Sequence, residues 1–250
     1  MAQMSWLLAV LFLPLFPFSM IFNLLWQRCT ASWLRVILLL LWPLPGLWLL
    51  QGVGEIPVAI QGWALLSAVL YAFRALVVRE FSIWMGFVAV SAWALLWLGM
   101  PATQSAVALA YIESFSLPLA LLALLVAEVE QRHGAAYAGV VSALAANQPR
   151  LAAMLVLAVL AVIASPVFPA FFMMLENIAS SLAQHPLLAT GEMVVWLLWS
   201  WSAMRLLQAL LVGPAVVSGH RDISARRGGM YALTLVLLAG FGLFIFGGQL

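Results

Sequence analysis

The sequence predicts an all-α integral membrane protein with about nine transmembrane helices. Of its 250 residues, 66% are hydrophobic and only 7% are charged, and the mean hydropathy is +1.14. A soluble domain carries about 25% charged residues, so most of this surface could not face water. The apolar stretches are continuous and about 20 residues long. That length is typical of spanning helices and differs from the short alternating strands of a lipid-facing barrel.

The apolar stretches place the spans along the whole chain, with mostly short connections. The first stretch lacks the basic start and the small-residue cleavage site of a signal peptide, so we predict that it is retained. Two connections are longer, 131–149 and 213–228, and neither has the length or hydrophobic pattern of a domain. The predicted spans are 5–26, 33–51, 57–78, 81–100, 105–130, 150–166, 168–184, 190–212 and 229–248.

Two prolines, Pro166 and Pro169, interrupt a long apolar run near its middle. Proline provides no backbone N–H, and hydrocarbon does not tolerate carbonyl groups that lack a donor. The pair therefore predicts either a tight turn between two spans or a broken helix that lines a polar cavity, as in transporters. The residues alone leave both interpretations open.

The distribution of basic residues gives only a weak indication of membrane orientation. All ten basic residues are arginine. With nine spans the loop arginines divide five to three between the two sides, and the more basic side is expected to face the cytoplasm. The larger group is Arg28, Arg35, Arg79, Arg132 and Arg150, and the smaller is Arg221, Arg226 and Arg227.

The composition disfavours several classes of function. The net charge of +2 is too small and too dispersed for nucleic-acid binding. The single cysteine, Cys29, excludes an internal disulfide framework and a cysteine-based metal site. The three histidines are scattered through loops, and no nucleophile with a base or phosphate-binding glycine loop is present. We therefore predict no cofactor, no metal and no catalysis by this chain alone.

Four charged residues lie away from the ends of the predicted spans: Arg74, Glu113, Glu176 and Arg205. Each costs about 2.5–3.5 kcal/mol at the bilayer centre on insertion scales, so each needs a physical reason. One interpretation is a polar relay that passes protons through the membrane, which we favour for the two glutamates. The other is local pairing, snorkelling to an interface or contact with a partner subunit, which we favour for the two arginines.

The remaining polar and aromatic residues receive simpler interpretations. Glu128 and Glu130 lie near an aqueous end of a span, and we predict that water solvates them. The twelve tryptophans are predicted mostly to form interfacial belts and to pack against lipid.

Short patterns from about residue 62 onward resemble the antiporter-like subunits of respiratory complex I and of the multisubunit sodium/proton antiporters. Each pattern alone is weak, but their order and spacing extend over roughly 160 residues. They comprise Ala72, Phe73 and Arg74 with Ser82, Met85, Gly86 and Phe87; Glu130, Gln131 and Arg132; Gln148, Pro149 and Arg150 with Pro166, Phe171 and Phe172; and Arg205, Leu206 and Leu207 with Gly213 and Pro214.

The resemblance implies a shortened member of that family. Family members have about fourteen spans built around two inverted five-helix repeats, and each repeat carries one half of a proton path. This chain resembles the second repeat with the helix before it, while most of the first repeat is missing. We divide its single membrane domain into an N-terminal two-helix segment, 1–56, and an antiporter-like helix bundle, 57–250.

The family's titratable positions are only partly matched. The family's ionisable residue in the broken helix corresponds to Met174, and Glu176 is the nearest carboxylate. The family's histidine in the preceding helix corresponds to about Phe115, close to Glu113. Arg74 corresponds to a family lysine, but arginine holds its proton far more tightly, so it could influence neighbouring charges without exchanging a proton.

The resemblance implies a membrane subunit of a complex-I-like ion-translocating complex that contributes part of a proton path or its scaffold. The alternative is a non-conducting structural or assembly subunit, for example in an inorganic-carbon-accumulating or hydrogenase-type complex. An independent small-solute transporter is disfavoured because alternating access normally uses both repeats. Expected partners are other membrane subunits and the lipid bilayer, and the expected location is the bacterial inner (cytoplasmic) membrane.

Overall fold

The computed structural model describes residues 8–50, 56–99, 105–139, 142–213 and 221–245. Most of these residues are helical, and the extended pairing among them is limited to an isolated bridge between Glu80 and Tyr137. The prediction of an all-α membrane protein is confirmed. The helices are α1 (Ser19–Arg28), α2 (Ser32–Leu41), α3 (Pro43–Leu50), α4 (Val58–Val77), α5 (Phe81–Gly99), α6 (Ser105–His133), α7 (Leu144–Asn147), α8 (Pro149–Val162), α9 (Pro169–Gln184), α10 (Pro186–Leu211) and α11 (Ala225–Ile245).

The described ranges contain six helical segments that are long and apolar enough to cross a membrane. The first combines α2 and α3, which meet at Trp42, and a further apolar helix, α8, has only 14 residues. The predicted count of nine spans is therefore not confirmed, because proline interrupts some of the predicted stretches. The six segments are Ser32–Leu50, Val58–Val77, Phe81–Leu98, Ala106–His133, Pro186–Leu211 and Ala225–Phe244.

The helical path is broken at residues 163–168, between the end of α8 and the start of α9 at Pro169. Helices α8 and α9 contain 14 and 16 residues, so each is too short to cross about 30 Å of hydrocarbon. Both pack against α6 and α11 and make few contacts with each other. Of the two interpretations of the proline pair, this arrangement fits two halves of one broken helix.

Neighbouring helices stabilise the backbone of this break. The carbonyl of Ile163 accepts a hydrogen bond from the indole N–H of Trp196 on α10, at 2.9 Å. Helix α11 approaches at Gly242, where a Cβ atom would lie 2.8 Å from the backbone nitrogen of Pro169 and 3.0 Å from the carbonyl oxygen of Val167. Backbone atoms cannot move aside as a side chain can, so this close contact requires glycine.

A second break lies near the N-terminus, at residues 13–18, between two helical stretches. It shares the pattern Pro-x-Phe-Pro with the α8–α9 break, beginning here at Pro14. The Phe16 N–H donates to the Ser67 hydroxyl at 3.0 Å, and the Trp63 indole donates to the Phe16 carbonyl at 2.6 Å. The first predicted span is thus interrupted, and side chains of α4 supply hydrogen bonds to backbone groups that proline leaves outside a helix.

Helix α5 forms the centre of the bundle, and α1, α4, α6, α9 and α10 pack around it. The prediction that the tryptophans mostly face lipid or the interface is wrong for five of them, which are at most 1% exposed. Tryptophan buries a large apolar area inside a protein provided that its indole N–H finds an acceptor. The five are Trp26, Trp84, Trp93, Trp97 and Trp199, and each indole donates a hydrogen bond within the bundle.

All ten arginines lie towards one end of the bundle, which we call the arginine end. Glu128 near the end of α6 pairs with Arg227 at the start of α11, and Asp222 accepts the backbone N–H of Arg150 at the start of α8, at 2.8 Å. The predicted five-to-three division is therefore wrong. It counted the two halves of the broken helix as two complete spans and so placed 221–227 on the opposite side. The arginine end contains Arg28, Arg35, Arg74, Arg79, Arg132, Arg150, Arg205, Arg221, Arg226 and Arg227.

Candidate functional site

Glu192 lies in the second turn of α10 and is completely buried. One carboxyl oxygen accepts a hydrogen bond from Asn177 Nδ2 on α9, at 2.8 Å, and the other accepts one from Ser181 Oγ. Asn177 and Ser181 are four residues apart and therefore share one face of α9. Because only His185 separates α9 from α10, the two helices pack side by side and this face meets the carboxyl.

Two further groups complete the polar surroundings of this carboxyl. Asn177 Nδ2 also donates to the carbonyl of Leu95 on α5, at 3.1 Å, while Asn177 Oδ1 is buried and has no hydrogen-bond donor among the described residues. Tyr111 on α6 is buried beside the same stretch of α5, where its hydroxyl donates to the carbonyl of Ala92, at 3.0 Å. We define the Glu192 cluster as Tyr111, Asn177, Ser181 and Glu192. A buried carboxyl with hydroxyl and amide neighbours can take up and release a proton.

Buried pairs of serine and tryptophan continue from the Glu192 cluster along α10 towards the arginine end. The Trp199 indole donates to Ser91 Oγ on α5 at 3.0 Å, and the Trp84 indole on α5 donates to Ser202 Oγ at 2.9 Å. Glu192, Trp199 and Ser202 follow one face of α10 because they are seven and three residues apart. An indole nitrogen only donates, so these pairs fix the packing of α5 against α10 and do not themselves relay protons.

The four path residues predicted from sequence all lie on the outer surface of the chain. Glu113 and Glu176 are on exposed faces of α6 and α9. The guanidinium of Arg74 stacks on the ring of Phe87, 4.7 Å from its centroid, and Arg205 lines a groove on α10. Within the described ranges no hydrogen bond or ion pair joins any two of these four residues. Their role in a proton path stays a prediction.

The two exposed glutamates nevertheless lie at about the depth of the buried one. Glu113 follows Tyr111 by two residues on α6, and Glu176 directly precedes Asn177 on α9. The helix rise is about 1.5 Å per residue, so each is displaced by at most about 3 Å along its helix from a member of the Glu192 cluster. One layer of the bundle therefore contains three carboxyls, one enclosed and two directed outward.

The carboxylates at the arginine end are paired, and the prediction that water solvates them is wrong. Glu128 is 9% exposed and forms ion pairs with Arg132 at 2.6 Å and Arg227 at 3.1 Å. Glu130 pairs with Arg35 at 2.9 Å. Arg35 on α2 and Arg227 on α11 reach the end of α6, where with Arg132 they compensate the buried Glu128 and the partly exposed Glu130.

Sequence reasoning missed Glu192 because it placed the start of this span at residue 190, which made Glu192 a residue of the span end. The helix begins four residues earlier, with Pro186 at its first position, so Glu192 is a full turn further inside. A usable signal was the spacing of Leu188, Glu192, Val195 and Trp199, which places all four on one face; all four are buried. In the described ranges no group of three or more His, Cys, Asp or Glu side chains is arranged to hold a metal.

No protein-family model and no curated protein matches this sequence. Solved structures do match its fold, each with a TM-score of 0.80. A chain of respiratory complex I from Thermus thermophilus is 21% identical, and the match covers 97% of this chain and 54% of that one. A chain of the archaeal membrane-bound sulfane sulfur reductase is 13% identical, with 94% and 51% covered. A chain of the Mrp complex from Dietzia sp. is 15% identical, with 99% and 56% covered.

At these identities the likeness concerns the fold. It extends over nearly the whole of this chain, which spans about half the length of each matched chain. The division at residue 56 stays a prediction. The chain is a multi-pass membrane protein with the antiporter-like fold of membrane subunits from complex I, Mrp and sulfane sulfur reductase assemblies, as the resemblance in its sequence predicted.

Proposed function

We propose that this chain is a membrane subunit of a complex-I-like ion-translocating assembly of the bacterial inner membrane, and that Glu192 belongs to its proton path. The buried Glu192 cluster carries the proposal. An ionisable side chain inside a transmembrane helix is costly and commonly marks an ion or proton pathway. Here both carboxyl oxygens have donors, and the neighbouring Asn177 Oδ1 is a buried acceptor that no described residue uses.

The outward carboxyls support a partner at the same depth. Glu113 and Glu176 are exposed on the surface of this chain although they belong to apolar helices. Contact with lipid tails would leave them without hydrogen bonds, so another membrane subunit is expected to cover them. A second copy in the same orientation offers no basic residue at this depth, because every arginine lies at the other end. The covering subunit is therefore expected to be a different chain that supplies a polar or basic side chain.

The arginines in the predicted path take a different part. Arg74 and Arg205 lie at the arginine end, where their fixed charge would influence proton entry or exit without exchanging a proton. The chain spans about half the length of the matched chains, so the Glu192 cluster is proposed as one part of a longer proton path.

The test is Glu192→Gln in the assembled complex, with Glu80→Gln as the control. Glutamine keeps the hydrogen bonds of Glu192 in part but cannot release a proton. Glu80 lies in the connection before α5, outside the spans. We expect E192Q to assemble normally on a native gel and to form a proton gradient in inverted vesicles at least about tenfold more slowly, whereas E80Q behaves as wild type.

A non-conducting scaffold is the second candidate. It is favoured by the tryptophan–serine hydrogen bonds that join α5 to α10 and by the ion pairs at the arginine end. If translocation survives in a fully assembled E192Q complex, the proposal that Glu192 belongs to the proton path is wrong. If it also survives in the double variant E113Q/E176Q, the scaffold function stands. Transport by the purified chain without any partner would contradict both.

A further inference from the structure

We propose that a groove at the arginine end binds the phosphodiester headgroup of an anionic phospholipid, held by Arg79 and Arg205. The groove has a volume of about 260 Å³ and lies where the end of α4 meets the last turns of α10. Besides the two arginines it is lined by Val78, Leu206 and small residues of the connection after α6. The groove shares Arg205 with the proposed proton path, whereas Arg79 has no part in that path.

Arg79 and Arg205 are two of the seven arginines at this end that form no ion pair among the described residues, and these two line one groove. Arg35, Arg132 and Arg227 each pair with a glutamate. Among the described residues, no carboxylate lies within ion-pair distance of Arg79 or Arg205. Two guanidinium groups that line one groove repel each other until an anion lies between them. The planar guanidinium donates paired hydrogen bonds that match the geometry of a phosphate group.

The surface beside the groove indicates that the anion belongs to a lipid. Trp201 lies one turn before Arg205 on the same face of α10, towards the membrane centre, and is 62% exposed. Met204 and Val77 nearby are 59% and 70% exposed. A phosphate held by the arginines would place acyl chains along this apolar surface, and tryptophan is favoured at the level of lipid headgroups. A free phosphate ion would leave that surface unused.

Charge at the arginine end favours an anionic lipid over a zwitterionic one. The headgroup of an anionic phospholipid carries a net negative charge, and clusters of basic residues beside spanning helices attract such lipids. The two arginines would neutralise that charge while the acyl chains remain in the bilayer. The expected ligand class is therefore a phosphatidylglycerol-like or cardiolipin-like phosphodiester.

The experiment compares R79Q/R205Q with wild type and with R221Q/R226Q, a control that removes the same charge from two exposed arginines at the same end. Each purified protein is placed in nanodiscs of equal phosphatidylglycerol and phosphatidylcholine, and retained lipid is counted by native mass spectrometry after delipidation. We expect phosphatidylglycerol retention by wild type and the control, and about tenfold less by R79Q/R205Q, because hydrogen bonds to a charged group are lost.

Two further measurements distinguish a lipid from a free phosphate ester and replace the variant if it does not fold. Soluble glycerophosphate in excess should leave the retained lipid in place, and displacement would show that the groove takes a free phosphate ester instead. If R79Q/R205Q fails to fold, wild type alone is heated with either lipid, and we expect phosphatidylglycerol to raise its melting temperature by several degrees more than phosphatidylcholine. Equal retention by all three proteins, or equal melting temperatures with the two lipids, would overturn the proposal.

Discussion

Glu192 and Glu176 belong to adjacent helices at nearly the same depth, yet their surroundings differ completely. Glu192 faces α9 and receives hydrogen bonds from Asn177 and Ser181, while Glu176, one residue before Asn177, lies on the exposed side of α9. The first arrangement stabilises a carboxyl inside the chain. The second leaves a carboxyl for a neighbouring chain to satisfy. A change at each site should therefore act on a different process, proton transfer or assembly.

The buried tryptophans provide a residue-scale prediction. Trp199→Phe removes the indole N–H that donates to Ser91, and hydrogen bonds between transmembrane helices are worth about 0.6 kcal/mol on average and up to about 1.7. Some buried area is lost as well. We expect a melting temperature in detergent a few degrees below wild type. Trp201→Phe, at a 62% exposed position, should melt as wild type does, and equal midpoints for the two variants would contradict the assigned packing.

The sequence predicted the presence of intramembrane charge but not which side of a helix each charge occupies. In a soluble protein the polar face of a helix identifies its surface, whereas here the lipid-facing side is as apolar as the core. Leu109 and Leu117, on the exposed face with Glu113, could equally well have been core residues. The depth of Glu113 and Glu176 was therefore predictable and their outward direction was not.

At the scale of elements, proline causes both helix breaks. The packing of the flanking helices determines whether a break forms a tight turn between two spans or divides one span into two half-helices. The pair Pro166 and Pro169 predicted an interruption, but a tight turn and a broken helix have the same local sequence. The lengths of α8 and α9 and their shared neighbours favour the broken helix. The same pattern at Pro14 went unrecognised, because the stretch around it is long enough to be predicted as one span.

Gly242 provides a matched test of how α11 supports the α8–α9 break. Gly242→Ala places a Cβ against backbone atoms of Pro169 and Val167, whereas Gly240→Ala on the same helix meets nothing within 4 Å. Overpacking of this kind costs about 1–3 kcal/mol. We expect G242A to lower the melting temperature and the amount of assembled complex, while G240A does neither. A G242A protein as stable as G240A would show that α11 does not pack closely on the break.

At the scale of the whole molecule, all ten arginines share one end, although the sequence alone suggested a division between two sides. The difference arises from a single broken helix, because one span fewer reverses the side of everything that follows. By the positive-inside rule, the arginine end should face the cytoplasm.

The only cysteine tests this orientation. Cys29 follows α1 directly, at the arginine end, and is half-buried. A membrane-impermeant maleimide should therefore label it in inverted vesicles and not in intact cells. The control is C29S/Q184C, whose cysteine is exposed at the opposite end of the bundle and should label in the reverse pattern. Labelling of Cys29 in intact cells would place the arginine end outside.

The central claim is that Glu192 transfers protons as part of a multisubunit ion-translocating assembly. The most direct measurement is the number of protons translocated per turnover by the purified assembly in proteoliposomes, driven by the reaction or ion gradient that its co-purified subunits identify. With E192Q we predict that fewer protons are moved per turnover while the subunit composition is unchanged. An unchanged ratio in a fully assembled E192Q complex would contradict the account.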